Sequence, residues 1–547
     1  MIVDARTVTT EETIETEVCI VGGGPAGITL AYELMNQKFR VCLVESGGFD
    51  FDPQTQSLSQ GKVVGQPHPP LDSTRLRQFG GTAHTWESEL NHIQRGWRSL
   101  PLDAIDFEQR EWLPYSGWPF TRADLDPFYE RAHQLCQLGP FTYKAEDWQS
   151  NGKSPLPFKS DRIMTSVSQY GDRTPFIEDY PRAISQAQNI TVLLHANITE
   201  IEVDDAGQTV TRLKGRSLQG HSFWIASKLF VLASGGIENA RLLLLSNQQQ
   251  PAGIGNQHDR VGRFFMEHPS VIAGMLTPYK RKMFDQTALY DMHQSKSQFV
   301  VGELHLNPDL MQREQLLNSG IQLFPRYPIH YKNAQESAQV LVASLRHAKL
   351  PKRSLKHIST IARSSGDLAV AAFWKVVRSL PGLKRGYWSY LPYEKRKFKT
   401  FELVYQIEQA PDPENRLVLS QERDALGQNQ AEIHWKLNSI DFRTINRVQS
   451  ILIEEFNRSG LGHLQTDLEN VKFFKLAGHH HMGTTRMHHD PKQGVVNAEG
   501  RVHGVHNLFI TGSSVFPTSG YANPTLTIIA LAIRLADHLK GMMQQGG

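Results

Sequence analysis

Cysteine is scarce in this chain: three residues in 547, Cys19, Cys42 and Cys136, with no Cys-x-x-Cys pair. That excludes a disulfide framework and a thiolate zinc site. A one-sided charge is missing too. Lys and Arg number 58 against 55 Asp and Glu, and the resulting +3 is too balanced for a protein whose main partner is nucleic acid. No run reaches the roughly 18 apolar residues that span a bilayer. The amino end closes on Glu11-Glu12-Thr13-Ile14-Glu15-Thr16-Glu17 and lacks the apolar core of a secretory signal. These absences predict a soluble, cytoplasmic, thiol-reduced protein. Its 39% apolar content plus 42 glycines is ordinary for globular chains, which excludes global disorder. The length fits three to four domain-sized units or one large enzyme with interleaved domains.

What is present is strongest at the amino end. Val18-Cys19-Ile20-Val21 has the look of a parallel strand buried on both faces, and it leads into Gly22-Gly23-Gly24-Pro25-Ala26-Gly27. An amphipathic helix follows, with Ile28, Ala31, Leu34 and Met35 on its inner side. A second apolar strand from Arg40 to Val44 then ends in Glu45. Gly22 suits the tight turn, Gly24 lets backbone approach a pyrophosphate, and Gly27 permits close packing of helix on strand. Pro25 and Ala26 belong to the same cofactor-directed turn, and the helix N-terminus beyond it offers unpaired N–H groups and a positive dipole end that favour phosphate. Glu45, 18 residues past Gly27, stands where a carboxylate accepts ribose hydroxyls. A lone glycine fingerprint is weak. Strand, turn, helix, strand and acid in this order predict dinucleotide binding, without separating FAD from NAD.

Three further segments narrow the cofactor. Arg75-Leu76-Arg77-Gln78-Phe79-Gly80-Gly81-Thr82-Ala83-His84-Thr85-Trp86 pairs two glycines with arginines able to face phosphate, although alone it reads as a Gly-Gly turn. A strand over Leu229–Ala233 runs through Ser234-Gly235-Gly236 into a helix reaching Leu243. Near the carboxyl end come Thr511-Gly512-Ser513-Ser514, then Gly520-Tyr521-Ala522-Asn523-Pro524-Thr525, then a long apolar helix from Leu526 toward Leu539. Together these resemble the glucose–methanol–choline (GMC) family of FAD-dependent oxidoreductases, nearly end to end. The likeness includes Gly478-His479-His480-His481-Met482-Gly483-Thr484-Thr485-Arg486-Met487, Val261 to Pro269, and Glu408-Gln409-Ala410-Pro411 leading into Asn415 to Leu419. The Gly-Gly-Thr and Ser116-Gly117-Trp118-Pro119 wording is most similar to the branch of pyranose oxidase, glycoside 3-dehydrogenases and polyol dehydrogenase flavin subunits.

The resemblance implies an α/β chain with a discontinuous Rossmann-like FAD domain over 1–100, 186–270 and 475–547. An α+β substrate domain on a mostly antiparallel sheet fills 101–185 and 271–474. Ile190 to Val203 alternates like one strand, which the family places beside the adenine, so Ile198 joins Ser234, Gly235, Gly512, Ser513, Pro524 and Thr525 as cofactor-directed. The implied reaction is oxidation of an alcohol, a sugar, glycoside or polyol hydroxyl, by hydride transfer to flavin N5. The family's catalytic histidine falls on His480, three residues before Gly483, and its partner on Asn523, whose amide can donate to the substrate oxygen. Two alternatives stay open: a non-redox, lyase-type use of the same fold, and a non-catalytic flavin-binding subunit.

The tract holding His479, His480, His481, His488 and His489 raises a metal site, but an extended chain would turn His479 and His481 one way and His480 the other. No metal is expected. Some relatives attach FAD through a histidine just before the Trp position. Thr85 stands there and His84 is one residue early, which predicts non-covalent FAD. The electron acceptor (oxygen, quinone or a redox partner) is unwritten, with dehydrogenase favoured over oxidase. Residues 345–400 hold fourteen Lys and Arg against Asp367 and Glu394. Within them, Val370, Phe373, Trp374, Val377 and Leu380 share a face of a helix that Asp367 caps and Pro381-Gly382 stops. Such a basic amphipathic helix either packs over the substrate domain or rests on an anionic cytoplasmic membrane surface.

Overall fold

The computed structural model describes residues 1–90, 94–150, 152–326, 337, 340, 354–362, 389, 398–467, 471–475 and 477–545. Val18–Val21 and Val41–Val44 are fully buried runs of mainly β-branched residues, the composition of a strand covered on both faces. They sit inside a six-stranded parallel sheet ordered Ile2–Asp4, Ile190–Leu194, Val41–Val44, Val18–Val21, Leu229–Leu232, Leu508–Ile510. Strands far apart in sequence thus share one sheet. Cys19 and Cys42 are register partners in it, buried and unbridged. Helix Thr525–Gln545 packs on Pro25–Glu33 and on Arg122–Leu135.

A second, ten-stranded sheet is antiparallel at every pairing, and its main path includes Ser270–Pro278, Thr400–Ile407, Ser319–Arg326, Gln298–Leu306 and Ile163–Asp172. Period-two alternation turns Phe401, Leu403, Tyr405 and Ile407 to its core. There they meet Ile445, Val448, Leu452 and Phe456, spaced along helix Ser439–Arg458. An Asn438–Asp441 capping box starts that helix.

Three details depart from the sequence-based expectations. Ile190–Val203 is two strands, because His195 takes φ +56° and turns the chain. Ile190–Leu194 stays in the parallel sheet, while Asn197–Val203 pairs antiparallel with Val210–Arg216. Arg95–Ser99, assigned by sequence to the FAD unit, pairs with Ile163–Asp172 in the antiparallel sheet. Gly61–Gly65, from the same unit, pairs in parallel with Asn429–Trp435 in a separate three-stranded sheet. The basic helix expected over 367–380 lies outside the described residues. No helix among the described residues is long and apolar enough to cross a membrane.

Candidate active site

The amino-terminal strand ends at a turn only glycine fits. Gly22 has φ +111°, and a Cβ there would lie 2.7 Å from the Ala233 carbonyl oxygen. Helix Pro25–Glu33 follows with no side chain capping it, so its first N–H groups face the space beyond the sheet. At Gly27 a Cβ would meet the Gly22 carbonyl oxygen at 1.8 Å, which fixes its role as helix-on-strand packing. Glu45 is buried at the end of the next strand. Its carboxylate accepts from the N–H groups of Gly23 and Gly47, each at 2.8 Å, and from Ser46 Oγ at 2.9 Å. Burial lifts its carboxyl above the usual range despite those bonds.

Val18–Val21 lies where the strand order reverses, and a cavity of about 710 Å³ opens past its carboxyl end, in the size range of ligand sites. Every residue the sequence directs at the cofactor lines it, except Gly27 and Gly80. Arg77 reaches it but is not a free cation. Glu238 pairs with Arg77 at 2.9 Å and with Arg75 at 2.8 Å. The uncapped helix end, Glu45 and the glycine-lined wall fit a dinucleotide such as FAD. His84 does not line the cavity; its Nε2 lies 2.9 Å from the Phe79 carbonyl, while Thr85 and Trp86 do line it.

The far end of the same cavity is walled by His480 and Asn523 and by Gln322 and Gln406 of the antiparallel sheet. Hydrogen-bond direction settles the protons there. His268 Nε2 lies 3.3 Å from the Ser519 carbonyl, an acceptor, so Nε2 carries the hydrogen and Nδ1 a lone pair. Two donors approach that lone pair, His480 Nδ1 at 3.0 Å and Gln406 Nε2 at 3.2 Å. The two Gln406 amide hydrogens go to the Tyr521 carbonyl at 2.6 Å and Asn523 Oδ1 at 3.1 Å, which leaves His480 Nδ1 to donate to His268. In neutral His480 the lone pair is therefore on Nε2, which has no partner among the described residues and is left for a substrate. Burial, then the adjoining His268, pushes the His480 imidazole well below its ordinary pKa, and burial pushes His268 down to about 4.

Asn523 is oriented by its donors in the same way. Arg98 and the Gln406 amide nitrogen, both donors, lie 3.1 Å from Asn523 Oδ1, so the Nδ2 amide is the end left to donate. Arg98 is itself buried and paired with Glu303 at 3.2 Å. Glu303 also accepts from Gln322 at 3.0 Å and from Ser168. Beneath His480, buried Glu267 accepts the backbone N–H of His480 at 2.9 Å and of Gly478 at 3.1 Å. His479 takes φ +62°, so the tract is not the extended chain that alternation assumed. His488 accepts the Asp490 N–H at 2.9 Å and, like His489, lies off the cavity wall.

Sequence reasoning missed His268, Glu267, Arg98 and Gln406. Glu267-His268-Pro269 was visible as a motif, yet nothing local joins it to His480, 212 residues away from His268.

Residues 17–326 match the family model described as FAD dependent oxidoreductase, and 411–532 match the GMC oxidoreductase carboxyl-terminal model. Paromamine 6′-oxidase of Streptomyces fradiae is 31% identical over 96% of this chain and 91% of its own. The fructose dehydrogenase large subunit of Gluconobacter japonicus is 23% identical over 98% of this chain and 99% of its own. Among solved structures, an FAD-dependent oxidoreductase from Chaetomium thermophilum shares the fold. Its TM-score is 0.53 at 16% identity, covering 97% of this chain and 100% of that one.

Proposed function

The chain belongs to the GMC oxidoreductase family of FAD-dependent enzymes, and from that premise we propose that it oxidises a hydroxyl of a sugar, glycoside or polyol with His480 as the base. One observation carries the reading. A histidine nitrogen free to accept a proton and an amide free to donate wall the same end of one cavity. Asn523 Nδ2 donates to the substrate oxygen and holds it, while His480 Nε2 takes the hydroxyl proton. His268 fixes the tautomer that makes this possible. Bound FAD supplies the two-electron acceptor for the carbinol hydrogen. Arg98, Gln322 and Gln406 give this end of the cavity the polar wall a polyhydroxyl substrate needs, and both named relatives carry sugar-derived substrates in their names. Anaerobic mixing with a panel of sugars, glycosides and polyols should bleach the flavin with at least one of them. A flavin that stays oxidised with all of them, yet reduces with dithionite, would sink the reading.

The enzyme acts as a dehydrogenase that passes electrons to a quinone or a redox partner, a reading the large-subunit name of the fructose enzyme supports. Dye reduction should outpace hydrogen peroxide release in air. Cofactor binding without a covalent bond is supported by the His84 ring, which faces the Phe79 carbonyl. Denaturation should leave all yellow colour in the supernatant, and colour retained on the polypeptide would refute it.

We place the protein in the cytoplasm, touching the membrane surface through residues 345–400. Fourteen basic residues against two acidic ones support this, as do the exposed Leu355 and Ile358 beside Lys356 on helix Ser354–Ala362. Vesicles containing anionic lipid should sediment the protein at low salt and release it at high salt. Equal recovery in the supernatant with neutral and anionic vesicles would leave the segment only a packing role.

A further inference from the structure

Behind the His480 loop, three groups with electron pairs meet in one buried spot. His68 Nε2 lies 3.3 Å from Glu267 Oε1, and His481 Nε2 lies 3.4 Å from the same oxygen. The His68 and Glu267 side chains have no exposure, and that of His481 is 7% exposed. His68 Nδ1 sits 2.7 Å from the Pro69 carbonyl, an acceptor, so Nδ1 carries the hydrogen and neutral His68 turns a lone pair toward the carboxylate. His481 Nε2 is buried and makes no hydrogen bond among the described residues. The lone pair of neutral His68 and the carboxylate oxygen it faces repel unless something positive lies between them, and His481 Nε2 closes the third side of the same spot.

We propose that His68, Glu267 and His481 bind a divalent first-row transition ion, with Zn²⁺ the best match to the donor set. All three ligand atoms lie within 4.8 Å of one another. Metal bonds of about 2.0–2.1 Å at tetrahedral angles put neighbouring ligand atoms about 3.3–3.4 Å apart, which is the spacing of both nitrogens from Glu267 Oε1. The outer shell is also in place. Pro69 orients the His68 ring, as carbonyls do for metal-bound histidines, and the N–H groups of Gly478 and His480 hold the second carboxylate oxygen. Phe265 and Trp435 pack edge-on against the His68 ring and keep the spot dry. No metal was expected from the sequence because neighbouring histidines of the tract cannot converge. The fold instead brings one of them against residues from two other segments. The ion does no redox chemistry in this assignment. It secures the carboxylate that fixes the backbone of His480.

The test is metal content. Holoprotein stripped on a chelating resin, incubated with excess Zn²⁺ and gel-filtered should retain about one zinc per chain by mass spectrometry. His68→Ala and His481→Ala should each lose it while keeping FAD absorbance. Should either variant fail to fold, Co²⁺ loading of the unmodified protein gives a second readout, visible d–d bands to the red of the flavin. Flavin-loaded protein that retains no zinc and shows no cobalt bands would overturn the site and leave a proton shared between His68 and Glu267. Zinc retained equally by folded variants would overturn it as well.

Discussion

Replacing His480 with alanine is expected to leave FAD bound and to slow flavin reduction by about 10²–10⁴-fold, the usual contribution of a positioned base. Apart from its bond to His268, the side chain anchors little else. Glu267 holds the backbone at this position through the His480 N–H, so the loop keeps its anchor when the ring is gone. The cofactor end of the cavity, from Gly22 to Glu45, is made by other elements. What disappears is the Nε2 lone pair, and the substrate hydroxyl must then give its proton to water. Asn523 still holds the oxygen, so KM should move far less than the reduction rate constant. Anaerobic stopped-flow absorbance measures both. An unchanged reduction rate would remove His480 from the chemistry.

The contrast between the two ends of the cavity shows what a sequence can reveal. At the amino end the informative residues are neighbours. Strand, glycines, helix and Glu45 all fall within residues 18–45, and local sterics and dipoles dictate their roles. His480 and Asn523 were legible through motif wording alone. The groups that orient them were not, because Arg98 meets Asn523 across 425 residues and His268 meets His480 across 212. The local sequence shows that Arg77 is able to face phosphate but not that Glu238, from a separate helix, pairs with it. The single strand expected over Ile190–Val203 failed for a conformational reason. Alternation of side chains survives the turn at His195, so the pattern cannot register a change of sheet.

Removing one partner of the Arg110–Glu408 pair is expected to destabilise the protein by about 3–5 kcal/mol, more than any surface charge change would. Arg110 is 1% exposed and Glu408 not at all, and the guanidinium makes two parallel bonds to the carboxylate, one at 2.8 Å. Glu408 also accepts the Asn318 N–H at 3.0 Å. In Arg110→Met, Glu408 keeps a buried charge with no cation, beside Asp106, whose carboxyl burial and Glu408 already push well above its usual range. In Glu408→Gln the unpaired charge is the guanidinium. Replacing both partners with apolar residues of similar volume removes both buried charges, and should recover much of the loss. Glu408 also stands two residues beyond Gln406, which reaches Asn523 from strand Thr400–Ile407. Single variants should therefore melt earlier and reduce flavin more slowly, whereas the double variant should regain stability ahead of activity. Thermal melts followed by flavin fluorescence, across the full mutant cycle, check this. Single variants that melt with the parent would show that the buried pair contributes nothing to holding this strand.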